Sequence, residues 1–336
     1  MMQVSQDSPE SRLYSLGSDA FFSMLRIRLV EEMIGSRYPE QMMRNPVHLC
    51  TGQEATPVGV SQNLRLTDKV MSGHRSHGHY LAKGGDLKRM IAELYGRATG
   101  CCRGRGGSQH LVDQSAGFMG AAPILATTVP IATGVAWTMK ARKSGDIVVA
   151  YFGDGATEEG CVHEAMSFAS LHSLPILFIC ENNLLSTHSH LDVRQPKRAL
   201  SDLAAAHAMP GVTVDGMDVR SVSVAVSKAA KRARHGDGPT FIESKTYRYV
   251  GHVGPGEETN MGYRSQTELD EWMLRDPIAL ENERLSEEIP KWESIRPSME
   301  EMITIEIEAA FHYAMTSPFP DISELVDSTF PKAVLR

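Results

Sequence analysis

Apolar residues in this chain fall into short continuous runs that alternate with stretches of helical periodicity. Four runs are rich in β-branched or aromatic residues and predict buried strands over residues 147–152, 175–180, 212–214 and 240–244. Amphipathic stretches between them predict helices over 158–171 and 219–234. This repeated strand–helix–strand order indicates right-handed crossovers. The expected fold class is therefore α/β, a doubly wound, mostly parallel sheet flanked by helices.

Helical patterns also flank the predicted sheet. Apolar positions over 17–34 predict a long N-terminal helix, and the polar residues before it are expected to be flexible. A second helix is predicted over 298–315, where two prolines follow its last apolar positions. The predicted organisation is a flexible N-terminus over 1–16, an α/β domain over 17–295, and a C-terminal helix and tail over 296–336.

Composition narrows the classes of protein that fit this pattern. The 336 residues are 42% hydrophobic and 22% charged, with a net charge of −7, so a basic nucleic-acid-binding surface is not expected. The five cysteines are odd in number and scattered, which favours reduced thiols and a cytoplasmic protein over a disulfide framework. No run reaches the roughly 18 apolar residues of a membrane span, and the N-terminus is not of the signal-peptide type.

Polar residues follow two of the predicted strands where each strand ends. Asp154 lies in a Gly-Asp-Gly turn after the first strand, and Asn183 follows the next strand 29 positions later. The carboxyl ends of neighbouring parallel strands share one edge of a sheet, where ligands bind in open α/β folds. Carboxylate and amide oxygens suit Mg²⁺, and Gly155 and Ala156 allow close approach of the backbone. This pattern favours a metal–diphosphate site over a simple turn before a helix.

The Gly-Asp-Gly and Asn-Asn pair resembles the fingerprint of thiamine-diphosphate enzymes. From Phe21 to the C-terminal tail the chain is similar to the alpha subunits of 2-oxo acid dehydrogenases, which include pyruvate, branched-chain and acetoin dehydrogenases. The matching segments, in order, are 52–55, 74–78, 104–108, 153–160, 181–183, 214–218 and 246–252. The resemblance implies the diphosphate-binding domain of the thiamine-diphosphate fold, with helical N- and C-terminal extensions.

The resemblance also implies roles for individual residues. Asp154, Asn183 and the backbone carbonyl of Leu185 are expected to bind Mg²⁺. Arg75 matches an arginine that contacts the diphosphate, a task that suits a guanidinium. The expected catalytic residue is His252, which matches a histidine near the diphosphate and the mouth of the active site. The full set expected to bind thiamine diphosphate is His74, Arg75, Leu125, Gly153, Asp154, Gly155, Ala156, Glu181, Asn183 and His252.

Several of these residues have simpler interpretations that stay open at this point. Leu125, which matches an apolar residue that props the cofactor in its bent shape, is also an ordinary core residue type. Arg75 could form a surface ion pair, and His252 could be a loop histidine. His74, His77 and His79 do not share one helix face, which argues against a transition-metal site. The glycine-rich stretch 103–107 could be a flexible loop. A dinucleotide site is disfavoured because the third glycine of its fingerprint is missing.

The resemblance implies that half of the active site lies on another chain. In the family, the glutamate that activates thiamine diphosphate belongs to a separate beta subunit, and two alpha and two beta chains form the enzyme. The chain alone is therefore expected to bind the cofactor weakly and to be inactive. The expected reaction uses the cofactor to attack a small carbonyl substrate, a 2-oxo acid or acetoin, and passes the acyl unit to a lipoyl arm on an acyltransferase partner.

Four departures from the family pattern concern the region around the cofactor. His74 replaces a frequent aromatic residue, Leu185 replaces a frequent tyrosine, residues 253–258 replace a serine-rich loop, and segment 184–193 differs. They leave two other functions open. One is a carboligase or decarboxylase subunit of a biosynthetic pathway, without a lipoyl partner. The other is a non-catalytic subunit that stabilises its partner.

Overall fold

The computed structural model of the chain describes residues 9–324, with side chains described from residue 17 onward. The strands are β1 (Lys69–Ser72), β2 (Phe118–Ala121), β3 (Val148–Gly153), β4 (Ile176–Asn182), β5 (Leu185–Ser186), β6 (Ser189–His190), β7 (Gly211–Asp215) and β8 (Thr240–Lys245). Six of them form one parallel sheet in the order β2-β1-β3-β4-β8-β7. The antiparallel hairpin β5–β6 stands apart from this sheet.

Helices cover both faces of the sheet. They are α1 (Pro9–Arg37), α2 (Ala55–Ser61), α3 (His77–Ala82), α4 (Leu87–Leu94), α5 (Thr128–Arg142), α6 (Gly160–Leu171), α7 (Leu203–Ala206), α8 (Val219–Arg234), α9 (Gln266–Met273), α10 (Pro277–Glu288) and α11 (Trp292–Thr316). Aspartates cap several of them. Asp218, for example, accepts hydrogen bonds from the backbone amides of Arg220 and Ser221, which fixes the start of α8.

Alternate residues of the central strands pack into two separate cores. Val149 and Tyr151 face a core that includes α1, α2, α4, α8 and α11. Val148, Ala150 and Phe152 face the core beneath α5 and α6. Because both faces of β3 are buried, its sequence is a continuous apolar run. The predicted doubly wound α/β fold is confirmed.

The predicted elements are found, with some shifted boundaries. The helix predicted over 158–171 is preceded by a 3-10 turn, Asp154–Glu158, and begins at Gly160. The N-terminal helix starts at Pro9, so residues 9–16 of the expected flexible terminus are helical, and residues 1–8 lie outside the described part. The boundary predicted at residue 296 falls inside α11. Within the described residues, no helix is both long and apolar enough to span a bilayer.

Candidate functional site

A cavity of about 320 Å³ opens where β3 and β4 end. Its lining comes from segments far apart in the sequence, from His48 to His252. All of the residues proposed from the sequence as metal or cofactor ligands line it, namely His74, Arg75, Leu125, Gly153, Asp154, Gly155, Ala156, Glu181, Asn183, Leu185 and His252. The fold thus gathers these side chains at one edge of the sheet, while their individual roles stay predictions.

The pairing of β3 with β4 places the two polar strand ends side by side. Gly153 lies opposite Glu181 in the parallel register, so Asp154 and Asn183 follow from neighbouring positions. Both side chains are buried, with exposed fractions of 1% for Asp154 and 7% for Asn183. Two oxygen-bearing groups, of the kind that Mg²⁺ prefers as ligands, thus lie at this edge of the sheet.

Gly155 allows the 3-10 turn to pack closely against the β5–β6 hairpin. A Cβ atom at this position would lie 2.5 Å from Oγ and 3.0 Å from Cβ of Ser186. A residue with a side chain fits here only if the side chain of Ser186 moves. Close approach, rather than a left-handed backbone conformation, therefore explains why a glycine is needed at this point.

The carboxylate of Asp154 is paired with a cation of the same chain. Burial raises the pKa of Asp154, and the guanidinium of Arg194 acts in the opposite direction. Arg194 donates from Nη2 to Oδ2 of Asp154 and from Nη1 to Oε1 of Glu158. The neighbouring Gln195 donates to Oγ1 of Thr157 at 2.9 Å. Sequence analysis missed Arg194 and Gln195, although they directly follow the segment noted as unusual.

Asn183 and Leu185 are oriented by short-range hydrogen bonds. The amide nitrogen of Asn183 donates to Oε1 of Gln53 at 2.9 Å, and its Oδ1 accepts from the backbone amide of Leu185 at 3.1 Å. The Leu185 side chain packs with Met217, Tyr247 and other apolar residues. The Leu185 side chain is thus engaged in apolar packing, and the role expected of its backbone carbonyl stays a prediction.

Glu181 is engaged with a neighbouring histidine. Its Oε2 lies 3.1 Å from Nε2 of His79, whose Nδ1 lies 2.8 Å from Oγ of Ser72. The His79 ring stacks on Tyr151 with 3.8 Å between ring centroids. Glu181 therefore lines the cavity with a partner already in place.

Arg75 is a buried cation whose partners are carbonyl groups. Nη1 donates to the carbonyl of Leu49, and Nη2 donates to the carbonyl of His252 at 3.3 Å. Burial lowers its pKa to about 10. Among the residues that the structure describes, no carboxylate lies within ion-pairing distance of Arg75. An anion that entered the cavity could supply the missing charge.

Three imidazoles cluster beside Arg75. His48, His74 and His252 pack edge to face, with ring centroids 4.6, 5.1 and 5.5 Å apart. Burial is the main cause that lowers their pKa values, to about 2 for His48, 3 for His74 and 4 for His252, and Arg75 contributes. All three are therefore neutral at pH 7, when each can donate one hydrogen bond and accept another. Sequence analysis missed His48, because its position near His74 is set by tertiary packing.

The histidine group considered from the sequence does not converge. His77 lies between Glu31 and Ser108, at 2.5 and 2.7 Å, and is completely buried, whereas His79 contacts Glu181. The nitrogens that do approach one another, within 4.8 Å, are those of His48, His74 and His252.

The glycine-rich stretch after Cys102 is anchored rather than free. The buried carboxylate of Glu93 accepts hydrogen bonds at 2.7 to 3.2 Å from the backbone amides of Cys102, Gly104, Gly106 and Gly107. The flexible-loop interpretation is therefore wrong, because one carboxylate fixes four backbone groups.

The cavity has an apolar rim that the chain itself leaves open. Leu125 is 45% exposed and the neighbouring Ile124 is 69% exposed, although both line the cavity. Ala126, next in sequence, has a φ of 62°, and this turn directs the chain into α5. The core interpretation of Leu125 is wrong, because a core side chain would be covered.

Comparisons with known proteins identify a family and several relatives that are similar to this chain. The sequence model of the family described as "Dehydrogenase E1 component" matches residues 23–323. The alpha subunit of acetoin:2,6-dichlorophenolindophenol oxidoreductase from Bacillus subtilis (strain 168) is 37% identical over 309 residues, which is 91% of each chain. The pyruvate dehydrogenase E1 component subunit alpha-3, chloroplastic, from Arabidopsis thaliana is 37% identical over 94% of this chain and 74% of its own length. The pyruvate dehydrogenase E1 component subunit alpha from Rhizobium meliloti (strain 1021) is 35% identical over 91% and 87%, respectively.

Proposed function

This chain belongs to the dehydrogenase E1 component family as an alpha subunit. From that premise we propose that it binds the diphosphate end of thiamine diphosphate, as one chain of a two-chain dehydrogenase that acts on 2-oxo acids or acetoin. One observation carries the proposal. Asp154 and Asn183, from neighbouring strand ends, line the same cavity as the buried cation Arg75.

The residues at the strand ends have the chemistry of a magnesium site. We assign the carboxylate of Asp154, the amide oxygen of Asn183 and the backbone carbonyl of Leu185 as its protein ligands. All three are hard oxygen donors, which Mg²⁺ prefers, and phosphate oxygens and water commonly complete its octahedron. The hydrogen bond from Asn183 to Gln53 supports the assignment, because it fixes the amide nitrogen and leaves the oxygen toward Leu185.

The opposite side of the cavity suits the diphosphate. Arg75 provides a charge that is not neutralised within the described residues, and His74 and His252 provide neutral N–H donors. Gly153 has open space around its Cβ position, so a ligand can approach its backbone. The cavity therefore offers a phosphate both a cationic partner and neutral N–H donors.

Two residues of this chain would act near the reacting end of the cofactor. When bound, thiamine diphosphate supplies the electron sink for cleavage next to a carbonyl group. The exposed side chain of Leu125 would support the bound cofactor, and the neutral imidazole of His252 would hold or accept a proton in the cavity. Burial matters for His252, because its lowered pKa keeps a ring nitrogen free to accept that proton at pH 7.

The exposed rim at Ile124 and Leu125 supports a partner subunit that completes the cavity. We propose a beta subunit that carries the activating glutamate, in an assembly of two alpha and two beta chains. We further propose that the acyl unit passes to a lipoyl arm of a third protein.

Co-expression with the beta subunit tests the function. The purified complex is offered pyruvate, branched-chain 2-oxo acids and acetoin, and reduction of 2,6-dichlorophenolindophenol is followed with and without thiamine diphosphate and Mg²⁺. Dye reduction that requires both additions, and that Asp154→Asn abolishes, is the expected result. Activity of the alpha chain alone, or an Asp154→Asn complex as active as the wild type, would contradict the proposal. Acyl transfer to a lipoyl domain in the same complex separates a dehydrogenase from a carboligase.

A further inference from the structure

The segment that follows Asn183 folds back over the Gly-Asp-Gly turn and is held there by two consecutive residues. Arg194 contacts Asp154, Glu158 and the carbonyl of Ser189, the last at 3.2 Å. Gln195 contacts Thr157 and Glu158, both at 2.9 Å. The same segment carries Leu185, so the covering segment and one proposed metal ligand belong to a single structural unit.

The pairing with Arg194 explains how Asp154 is tolerated in the fold. An isolated carboxylate as buried as this one would be strongly destabilising. The guanidinium of Arg194, itself 12% exposed, supplies the compensating charge. Thus the cation that pairs with Asp154 in this structure is a side chain of the same chain.

A divalent metal ion and Arg194 cannot both interact with Asp154 at full strength. Two cations that share one carboxylate lie within several ångströms of each other. At that distance their electrostatic repulsion is substantial even in a medium of intermediate dielectric constant. Arg194 has other partners to which it can turn. Glu158, with 38% of its side chain exposed, and the carbonyl of Ser189 remain available when Asp154 is taken by a metal.

We propose that Arg194 sets the affinity of this site for divalent metal ions, because its guanidinium occupies Asp154 in the metal-free chain and must release it when the metal binds. The inference rests on the proposed function, in which Asp154 is a metal ligand. It makes Arg194 a positioning residue: it acts on the metal through Asp154 and does not itself touch the cofactor.

Metal binding by the full chain tests the proposal, with Mn²⁺ alone as the probe and the electron paramagnetic resonance signal of the free ion as the readout. Arg194→Gln keeps a hydrogen-bonding side chain and removes the charge, so Mn²⁺ should bind about tenfold more tightly. The metal-free variant should unfold at a lower temperature than the wild type, and Mn²⁺ should restore more of its stability. Arg194→Lys keeps the charge and should bind Mn²⁺ no more than about threefold more tightly than the wild type.

Arg198→Gln is the matched control. Arg198 is exposed, lies on the same segment and contacts Gln195, so its removal changes the net charge equally without freeing Asp154. Its Mn²⁺ affinity should equal that of the wild type. Unchanged or weaker Mn²⁺ binding by a folded Arg194→Gln chain overturns the proposal, and so does an equal gain in Arg198→Gln.

Asp154→Asn separates the two levels of inference. If the wild type and Arg194→Gln bind Mn²⁺ and Asp154→Asn does not, the metal assignment stands, and the affinities decide the role of Arg194. If none of the chains binds Mn²⁺, or if Asp154→Asn binds it as well as the others, both the metal assignment and the role of Arg194 are wrong.

Discussion

Two groups of residues line the cavity: the strand-end residues of β3 and β4, and a guanidinium with three imidazoles. We call the first the acidic wall, formed by Asp154, Glu181 and Asn183, and the second the basic wall, formed by His48, His74, Arg75 and His252. On the acidic wall, Arg194 pairs with Asp154 and His79 with Glu181. On the basic wall, Arg75 has only carbonyl partners among the described residues. On the acidic wall Asp154 thus has a cationic partner within the chain, whereas on the basic wall we expect Arg75 to find its anionic partner in a ligand.

The largest expected effect tests the acidic wall. Asp154→Asn removes the charged metal ligand, so activity of the complex with the beta subunit should fall by a factor on the order of 100 or more. Magnesium-dependent binding of thiamine diphosphate should be lost together with it, as isothermal titration calorimetry would show. Glu159→Gln is the control: this neighbouring carboxylate is exposed and outside the cavity lining, and its removal should leave both measurements unchanged.

The next effect tests the basic wall. Arg75→Gln removes the buried cation and should raise the Kd for thiamine diphosphate about 10- to 100-fold. The cofactor-free chain should lose less stability than the cofactor-bound chain, since the lost charge has no acidic partner there. Thermal unfolding with and without cofactor measures both. Equal destabilisation of the two states would show that Arg75 serves the fold and not an anion.

A smaller effect is expected at the contact between Gly155, next to the acidic wall, and Ser186 of the β5–β6 hairpin. Gly155→Ala places a methyl group against Ser186, so the Ser186 side chain must move and the unfolding temperature should drop by several degrees. The second change Ser186→Gly makes room for the methyl group and should restore part of the loss. Gly160→Ala, at a position with no neighbour within 4 Å, should have little effect. A Gly155→Ala chain as stable as the wild type would mean that the hairpin does not pack here in solution.

The smallest expected effect is on the pH dependence of thermal stability, to which the histidines of the basic wall contribute. The lowered pKa values of His48, His74 and His252 mean that the unfolded chain takes up protons before the folded one as pH falls below about 6.5. Their contribution to stability is therefore complete above that pH and declines below it. Between pH 7 and pH 5 the wild type should lose a few degrees more in Tm than His74→Gln. His235→Gln, which removes an exposed histidine, should lose as much Tm on acidification as the wild type. If Tm fell equally with pH in His74→Gln, the lowered pKa of His74 would be refuted.

Much of this arrangement could be predicted from the sequence because local patterns carry it. The apolar run of β3 is continuous because the strand is buried on both faces. The apolar positions of α8 are periodic because the helix is buried on one face. Asp154 and Asn183 were recognisable because each follows a predicted strand, and parallel strands end at a common edge. The short strands β1 and β2 were not predicted, since four residues give too little periodicity.

What the sequence did not reveal depends on contacts between distant segments. His48 meets His74 and His252 only through the packing of three loops, and nothing in its local pattern distinguishes it from a core histidine. Arg194 is equally hidden, because the turn that brings it to Asp154 uses positive φ angles at Leu184 and Thr187, residue types that do not signal such a turn. Long-range charge pairing of this kind becomes visible only in three dimensions.

The order of strands in the sheet has a consequence for biosynthesis. β4 lies between β3 and β8, and β8 is synthesised only after the β5–β6 hairpin, α7, β7 and α8. Until then the nascent chain exposes an apolar strand with one unpaired side, the kind of edge that recruits other strands. Because His252 follows β8 in the sequence, the full lining of the cavity is available only at a late stage of translation.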